Sequence, residues 1–253
     1  MVFRKSMIVA RTDLKMALKV TYVKYGLVAV AAIGPIMILA IVGMIAFTSP
    51  PGAASAILQL MSPIISPMLG MVSIIPASLI AANALVGERE QNTLEPLLCT
   101  PLTDRELLIG KVMSSFIPSM ALLLGSLLAT EIGTILILAI AGHPMILIPD
   151  ANGLFLLLTA GPLMILAMNS IMILISGRVS RVYEAYQTSG ATVMVFILPM
   201  LLPMMSLETG GMIDPNAILF ANILTILIAV ILFTVTWVLA FSRFNRDRMV
   251  SLV

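Results

Sequence analysis

The sequence predicts an all-α membrane protein: an N-terminal amphipathic helix lying in the membrane surface, followed by six membrane-spanning helices. Three observations carry this. The 253 residues are 60% hydrophobic and only 10% charged, whereas a soluble domain carries about 25% charged residues. Mean hydropathy is +1.12, the range of integral membrane proteins. Finally, the charges are confined to short segments between apolar runs long enough to cross a bilayer.

Residues 3–24 place Phe3, Met7, Ala10, Leu14, Ala17, Leu18 and Thr21 on one helical face and Arg4, Lys5, Arg11, Lys15 and Lys19 opposite. A basic amphipathic helix ahead of a span reads as an interfacial segment; its continuous apolar stripe favours this over a solvated basic tail. Tyr22 and Tyr25 fall where an interfacial aromatic belt is expected. The first span is 27–47, without a charge. That run exceeds the apolar region of a signal peptide, so a retained span is expected despite the small-residue sequence at Ala54-Ser55-Ala56. Ser49-Pro50-Pro51-Gly52 breaks the helix, and the uncharged residues 48–62 read as a short outer loop. The second span, 62–86, contains Pro67 and Pro76, whose freed carbonyls neighbouring helices must satisfy.

The third span, 112–141, is about 45 Å of helix against a hydrocarbon core of about 30 Å, so one long helix bent near Pro118 is expected rather than two. The fourth span is 154–176. The fifth, 190–205, is short and holds Pro199 and Pro203. The sixth is 217–241. The 14 Lys and Arg residues fall in residues 4–24, in 89–111, at Arg178 and Arg181, and in the tail at Arg243, Arg246 and Arg248. None lies on the other side of the spans. The positive-inside rule then puts both termini and residues 88–111 in the cytoplasm, in a multi-pass protein of the inner cell membrane.

Composition also excludes. The single Cys99 cannot form an internal disulfide, and the single His143 argues against a paired-histidine metal site. The 20 methionines are spread through the spans and read as apolar filler rather than copper ligands, so no metal is expected. No phosphate-binding glycine loop is present: Ile109-Gly110-Lys111-Val112 lacks the first glycine and the hydroxyl. The chain is therefore not expected to be an enzyme or to hold a cofactor, and nothing in it points to nucleic acid.

The chain is organised around residues 88–111, E-R-E-Q-N-T-L-E-P-L-L-C-T-P-L-T-D-R-E-L-L-I-G-K, in which eight of twenty-four residues are charged. Thr103-Asp104-Arg105-Glu106 has capping-box spacing, which starts a helix into the third span. Pro101 biases Thr100 away from the helical region. Upstream, Leu94, Leu97 and Leu98 share helical spacing, so a short amphipathic helix, a turn and a capped helix are expected. Glu131, inside a span, is a functional suspect by default. It either lines a cation path or a dimer contact, or is a neutral or hydrogen-bonded group packed against Thr130, Thr134 or Asn169. Asn169 and Ser170 read as helix–helix contacts rather than substrate ligands, with Asn169 kept beside Glu131 as a candidate for the transport path.

Glu88-Arg89-Glu90, Asn92-Thr93-Leu94-Glu95, Leu97-Leu98, Thr100-Pro101 and Glu106-Leu107-Leu108 with Gly110-Lys111 resemble the signature of ABC-2 type transporter permeases, in particular the subgroup that includes sodium-efflux permeases. The resemblance implies the ABC-2 (type V exporter) fold: a single permease domain over 1–253, with residues 3–24 as its "elbow" helix and 88–111 as its cytoplasmic coupling loop. It implies that two permeases pair, as a homo- or heterodimer in the lipid bilayer, and dock on separate ABC ATPase subunits that hold ATP and Mg. Asn92, Thr93, Leu94, Glu95, Leu97, Leu98 and Thr100 would form the coupling helix, Glu88, Arg89 and Glu90 would brace it, and Glu184 would lie near a second contact. The short fifth span and Gly210-Gly211 suit the re-entrant helices of that fold. Two other classes compete. A membrane-embedded enzyme needs a catalytic pair, for which Glu131 and Asn169 are poor material. A secondary transporter predicts internal repeats, and none is evident.

Overall fold

The computed structural model describes residues 2–17, 19, 21–50, 53–90, 102–179, 181–205 and 215–243. Among the described residues all regular structure is helical: α1 (Val2–Ala17), α2 (Thr21–Thr48), α3 (Ala53–Glu90), α4 (Asp104–Ala141), α5 (Ala151–Ser176), α6 (Val182–Met200), α7 (Leu202–Met205) and α8 (Pro215–Arg243). Five of them, α2, α3, α4, α5 and α8, are long and apolar enough to cross a membrane.

Three boundaries differ from the sequence reading. The N-terminal helix ends at Ala17, and Thr21 to Lys24 already belong to α2. The stretch read as an outer loop is helical from Ala53, because the breaker ends with Gly52 and only apolar and small residues follow. Helix α6 begins at Val182, eight residues ahead of the expected fifth span. It falls outside the five because its first turns carry Glu184, Gln187, Thr188 and Ser189.

Helices α3 and α4 have 38 residues each, about 57 Å of helix, far more than the roughly 30 Å of a hydrocarbon core. The end where α3 stops and α4 starts is called here the charged end. Helix α3 lies at the centre, packed on α5, α4, α6 and α2, and α5 in turn packs on α8. Contacts fix the register. Gly70 of α3 faces Leu157 and Met200, while Gly161 of α5 faces Leu123 of α4. Thus α3 and α5 run parallel and α4 runs against both. One buried cluster, including Ile74, Leu85, Leu107, Met168 and Met172, lies toward the charged end. Another, including Ile38, Leu58, Leu123, Leu138 and Ile148, lies toward the far end. The outward faces of α2 and α8 are apolar and exposed, for example Met44, Phe47, Phe220 and Val238, as a lipid-facing surface requires.

Backbone groups at the far end are satisfied locally. Gly142 takes the left-handed conformation (φ 74°) that ends α4, which glycine adopts without a Cβ penalty. The segment after it turns back into the bundle, and Ile148 is fully buried. Asp150 caps α5, accepting from the Gly153 N–H at 3.1 Å. Ser62 of α3 donates to Asp150 Oδ1 at 2.6 Å and accepts from the Asp150 N–H at 2.9 Å. Pro203 has no N–H for the Pro199 carbonyl, and Thr225 of α8 donates to that oxygen instead, at 3.1 Å.

Asp150→Ala removes a cap and the partner of a buried hydroxyl, and is expected to cost about 1–2 kcal/mol. The check is the melting temperature of the purified protein in detergent: Asp150→Asn, which keeps a capping oxygen, should lose distinctly less. Equal losses for the two variants would remove the cap as the cause.

Candidate functional site

Residues 91–101 connect the end of α3 to the start of α4, and these two helix ends are held together by a buried ionic cluster. Its centre is Lys111, two turns into α4, with a fully buried side chain. The ammonium group has three N–H donors and three acceptors around it: Glu88 Oε1 of α3 at 2.9 Å, Asp13 Oδ2 of α1 at 3.2 Å and the Ala84 carbonyl of α3 at 2.7 Å. A buried ammonium is tolerable only when paired and hydrogen-bonded in this way. The side chains of Asp13 and Glu88 are only 11% and 8% exposed. Two acidic side chains thus share one ammonium group. Burial raises the Asp13 carboxyl above its ordinary value, and the Lys111 ammonium opposes that shift. A cavity of about 30 Å³ adjoins the cluster, lined by Asp13, Asn83, Glu88 and Ser114 among others.

Local sequence explains how α1 reaches this point. Gly110 precedes Lys111, and a Cβ there would lie 2.8 Å from Val9 Cβ and 3.0 Å from the Ser6 carbonyl. Only glycine lets α1 approach this closely. Ser6 then donates to the Glu106 carbonyl at 3.0 Å. The buried face of α1 is Ser6, Val9 and Ala10, with Asp13 next to it, while Met7 and Ile8 are exposed. The expected stripe through Met7 is therefore displaced. The helix docks through its small and polar residues on α4, and Lys5, Arg11 and Lys15 remain exposed.

Three further contacts fasten the same end. Thr103 caps α4: its Oγ accepts from the Glu106 N–H at 3.3 Å, and the Glu106 carboxylate accepts from the Thr103 N–H at 2.9 Å. Ser176, at the end of α5, accepts from the Leu85 and Val86 N–H groups, both at 3.1 Å. Glu90 Oε1 accepts from the Val182 N–H at 2.9 Å. The N-cap of α6, Arg181, makes no side-chain cap bond, so α3 supplies an acceptor that α6 lacks at its own start.

Of the residues singled out in the sequence, Glu88, Glu90, Thr103 and Glu106 are thus brought together at one end of the bundle. Arg89 lies in the last turn of α3, and nothing of its side chain is described. Asn92, Thr93, Leu94, Glu95, Leu97, Leu98 and Thr100 lie outside the described residues. Glu184 is exposed in the first turn of α6, near the Glu90 contact. Asp13 was missed, although it is the sole acid among the first 24 residues, a signal that its face of the helix meets something. Lys111 was counted only as a cytoplasmic charge.

Glu131 and Asn169 are not brought together. From the Gly161–Leu123 contact, Glu131 lies eight residues toward the far end and Asn169 eight toward the charged end, a separation of about 24 Å along the helices. Both are buried, and the side-chain polar atoms of each lack a hydrogen-bond partner.

Lys111→Met leaves two buried acids without their cation and is expected to cost about 3–5 kcal/mol. Replacing Asp13 and Glu88 by leucine in the same chain should restore most of the loss, because an apolar cluster needs no counter-charge. Thermal melting in detergent reads both, and a Lys111→Met protein as stable as the wild type would refute the cluster's structural role.

The family described as ABC-2 family transporter protein matches residues 7–218. That span takes in α1 from Met7, all of α2 to α7 and the start of α8. No curated protein matches the chain. A multi-pass bundle of apolar helices, with no nucleotide-binding motif and a braced loop base at its charged end, is what a transmembrane component of a transporter requires, and the chain belongs to the ABC-2 transporter family.

Proposed function

We propose that this chain is the membrane-spanning permease subunit of an ATP-driven exporter in the cytoplasmic membrane. It pairs with a second permease, identical or related, and docks on separate ATPase subunits that bind ATP and Mg. In this reading the bundle has six spans, with α6 and α7 completing the set. Both termini and residues 91–101 face the cytoplasm, where every Lys and Arg lies. Residues 92–100 form the coupling helix that enters a groove on the ATPase. The similarity to sodium-efflux permeases belongs to this proposal.

The observation that carries the reading is the bracing of the loop base. A segment that receives force from a partner transmits it only if its two ends are tied to the elements that must move. Glu88 and Lys111 tie α3 to α4 and, through Asp13, to α1. Ser176 ties α3 to α5, and Glu90 ties it to α6. A displacement of residues 91–101 therefore reaches five helices within about two turns of the ends of α3 and α4. Glu184, exposed beside the Glu90 contact, is placed to meet the same partner.

The test is affinity purification of the tagged chain from its native membranes, with bound proteins identified by mass spectrometry. An ATPase subunit is expected to copurify at stoichiometric yield. Leu97→Arg or Glu95→Lys should release it while the permease stays in the membrane at its usual level. Retention of the ATPase by both variants would defeat the coupling-helix assignment.

A further inference from the structure

We propose that Glu131 is the centre of an exchangeable cation site inside the bundle: its carboxylate is neutralised by a monovalent cation, a proton or an alkali ion, taken up from solution. Glu131 is 9% exposed; its carboxylate oxygens make no hydrogen bond of good geometry, and the Ile148 backbone N–H is a weak donor beside them. Thr134, one turn along the same face, is fully buried, and its hydroxyl oxygen is likewise without a partner. Three oxygens with open lone pairs thus sit in a stripe otherwise made of Leu127 and Leu138. The backbone of Ile148, in the segment that folds back between α4 and α5, lies beside the carboxylate.

Among the described residues no Lys or Arg lies near it, and the one titratable base at this end, His143, is turned to the Ala46 carbonyl of α2 through Nε2. Helix α2 carries no charged residue beyond Lys24, α3 none between Ala53 and Gly87, and α5 none at all. The nearest charged residue on a packed element is Asp150, which has the same sign and is engaged by Ser62 and the Gly153 N–H. Lys111 lies twenty residues away on α4, about 30 Å along the axis. In a second copy, too, the Lys and Arg residues of the described spanning helices (Lys24, Arg89, Arg105, Lys111 and Arg243) all lie within eight residues of a helix end, none near mid-span. A carboxylate buried without a counter-charge takes up a cation or a proton. Oxygen-only donors with a single negative charge suit a proton or a hard monovalent ion rather than a soft transition metal. The inference rests on the chain's being membrane-embedded and is independent of the ATPase partner.

The test labels the wild-type protein in detergent with N,N′-dicyclohexylcarbodiimide, which attacks protonated carboxyl groups in apolar surroundings. Mass spectrometry reads the peptide containing Glu131. Labelling at mildly acid pH that is lost at alkaline pH, with no effect of salt, identifies the proton as the occupant. Labelling lost at constant pH when sodium or potassium chloride replaces choline chloride identifies an alkali ion. In that case Thr134→Val is expected to shift protection to higher salt. Labelling that ignores both pH and salt, or that is absent under every condition, would overturn the proposal in favour of a permanently closed packing role.

Discussion

A buried ammonium group dictates the architecture of the charged end. Lys111 has no access to water, so each of its three N–H donors needs an acceptor inside the protein. Those acceptors come from three places in the chain: Asp13 on α1, and Glu88 with the Ala84 carbonyl on α3. The requirement sets the rotation of α1 about its axis, because Asp13 must face inward and the neighbouring face must then pack. Gly110 makes that packing possible by removing a Cβ from the contact. The N-terminal helix is thus bound to the bundle by charge and close approach as well as by any contact with lipid.

The two ends of the bundle solve the same problem by different chemistry. Toward the far end, exposed backbone groups are closed by short side chains and turn geometry: Asp150, Ser62, Thr225 and Gly142 each answer a specific carbonyl or N–H. These bonds involve at most one charged group each, and two of them, Ser62 to Asp150 and Thr225 to Pro199, bridge separate helices. At the charged end an ionic cluster is added to such bonds. Ser176 reaches the Leu85 and Val86 amides, and Glu90 reaches the start of α6. The difference between the ends is therefore one of charge, not of sequence range.

Glu131 departs from both solutions. Everywhere else in the described helices a buried acid has a named partner: Glu106 in its cap, Glu88 and Asp13 at Lys111. A buried acid without such a partner is the most costly of the unsatisfied groups in the bundle.

Much of this was legible in the sequence because it depends on neighbours in the chain. The capping box at Thr103 and Glu106 is a four-residue pattern, and the structure contains both of its bonds. The apolar helices follow from length and hydropathy alone, since the bilayer sets the required run. What depends on distant residues was not legible. In positions 6–13 only the lone acid Asp13 hints at an inward face; that Ser6 and Val9, rather than Met7, share it follows from where Gly110 and Lys111 lie a hundred residues later. Glu131 and Asn169 have the composition of a pair, yet the antiparallel register of α4 and α5 holds them about 24 Å apart. Sequence by itself determined that this protein lives in a membrane, which segments are helical and where one helix starts, because each is a short-range property. Tertiary structure alone decided which charges meet. Burying an ion requires partners from several helices at once, and their meeting is set by packing register.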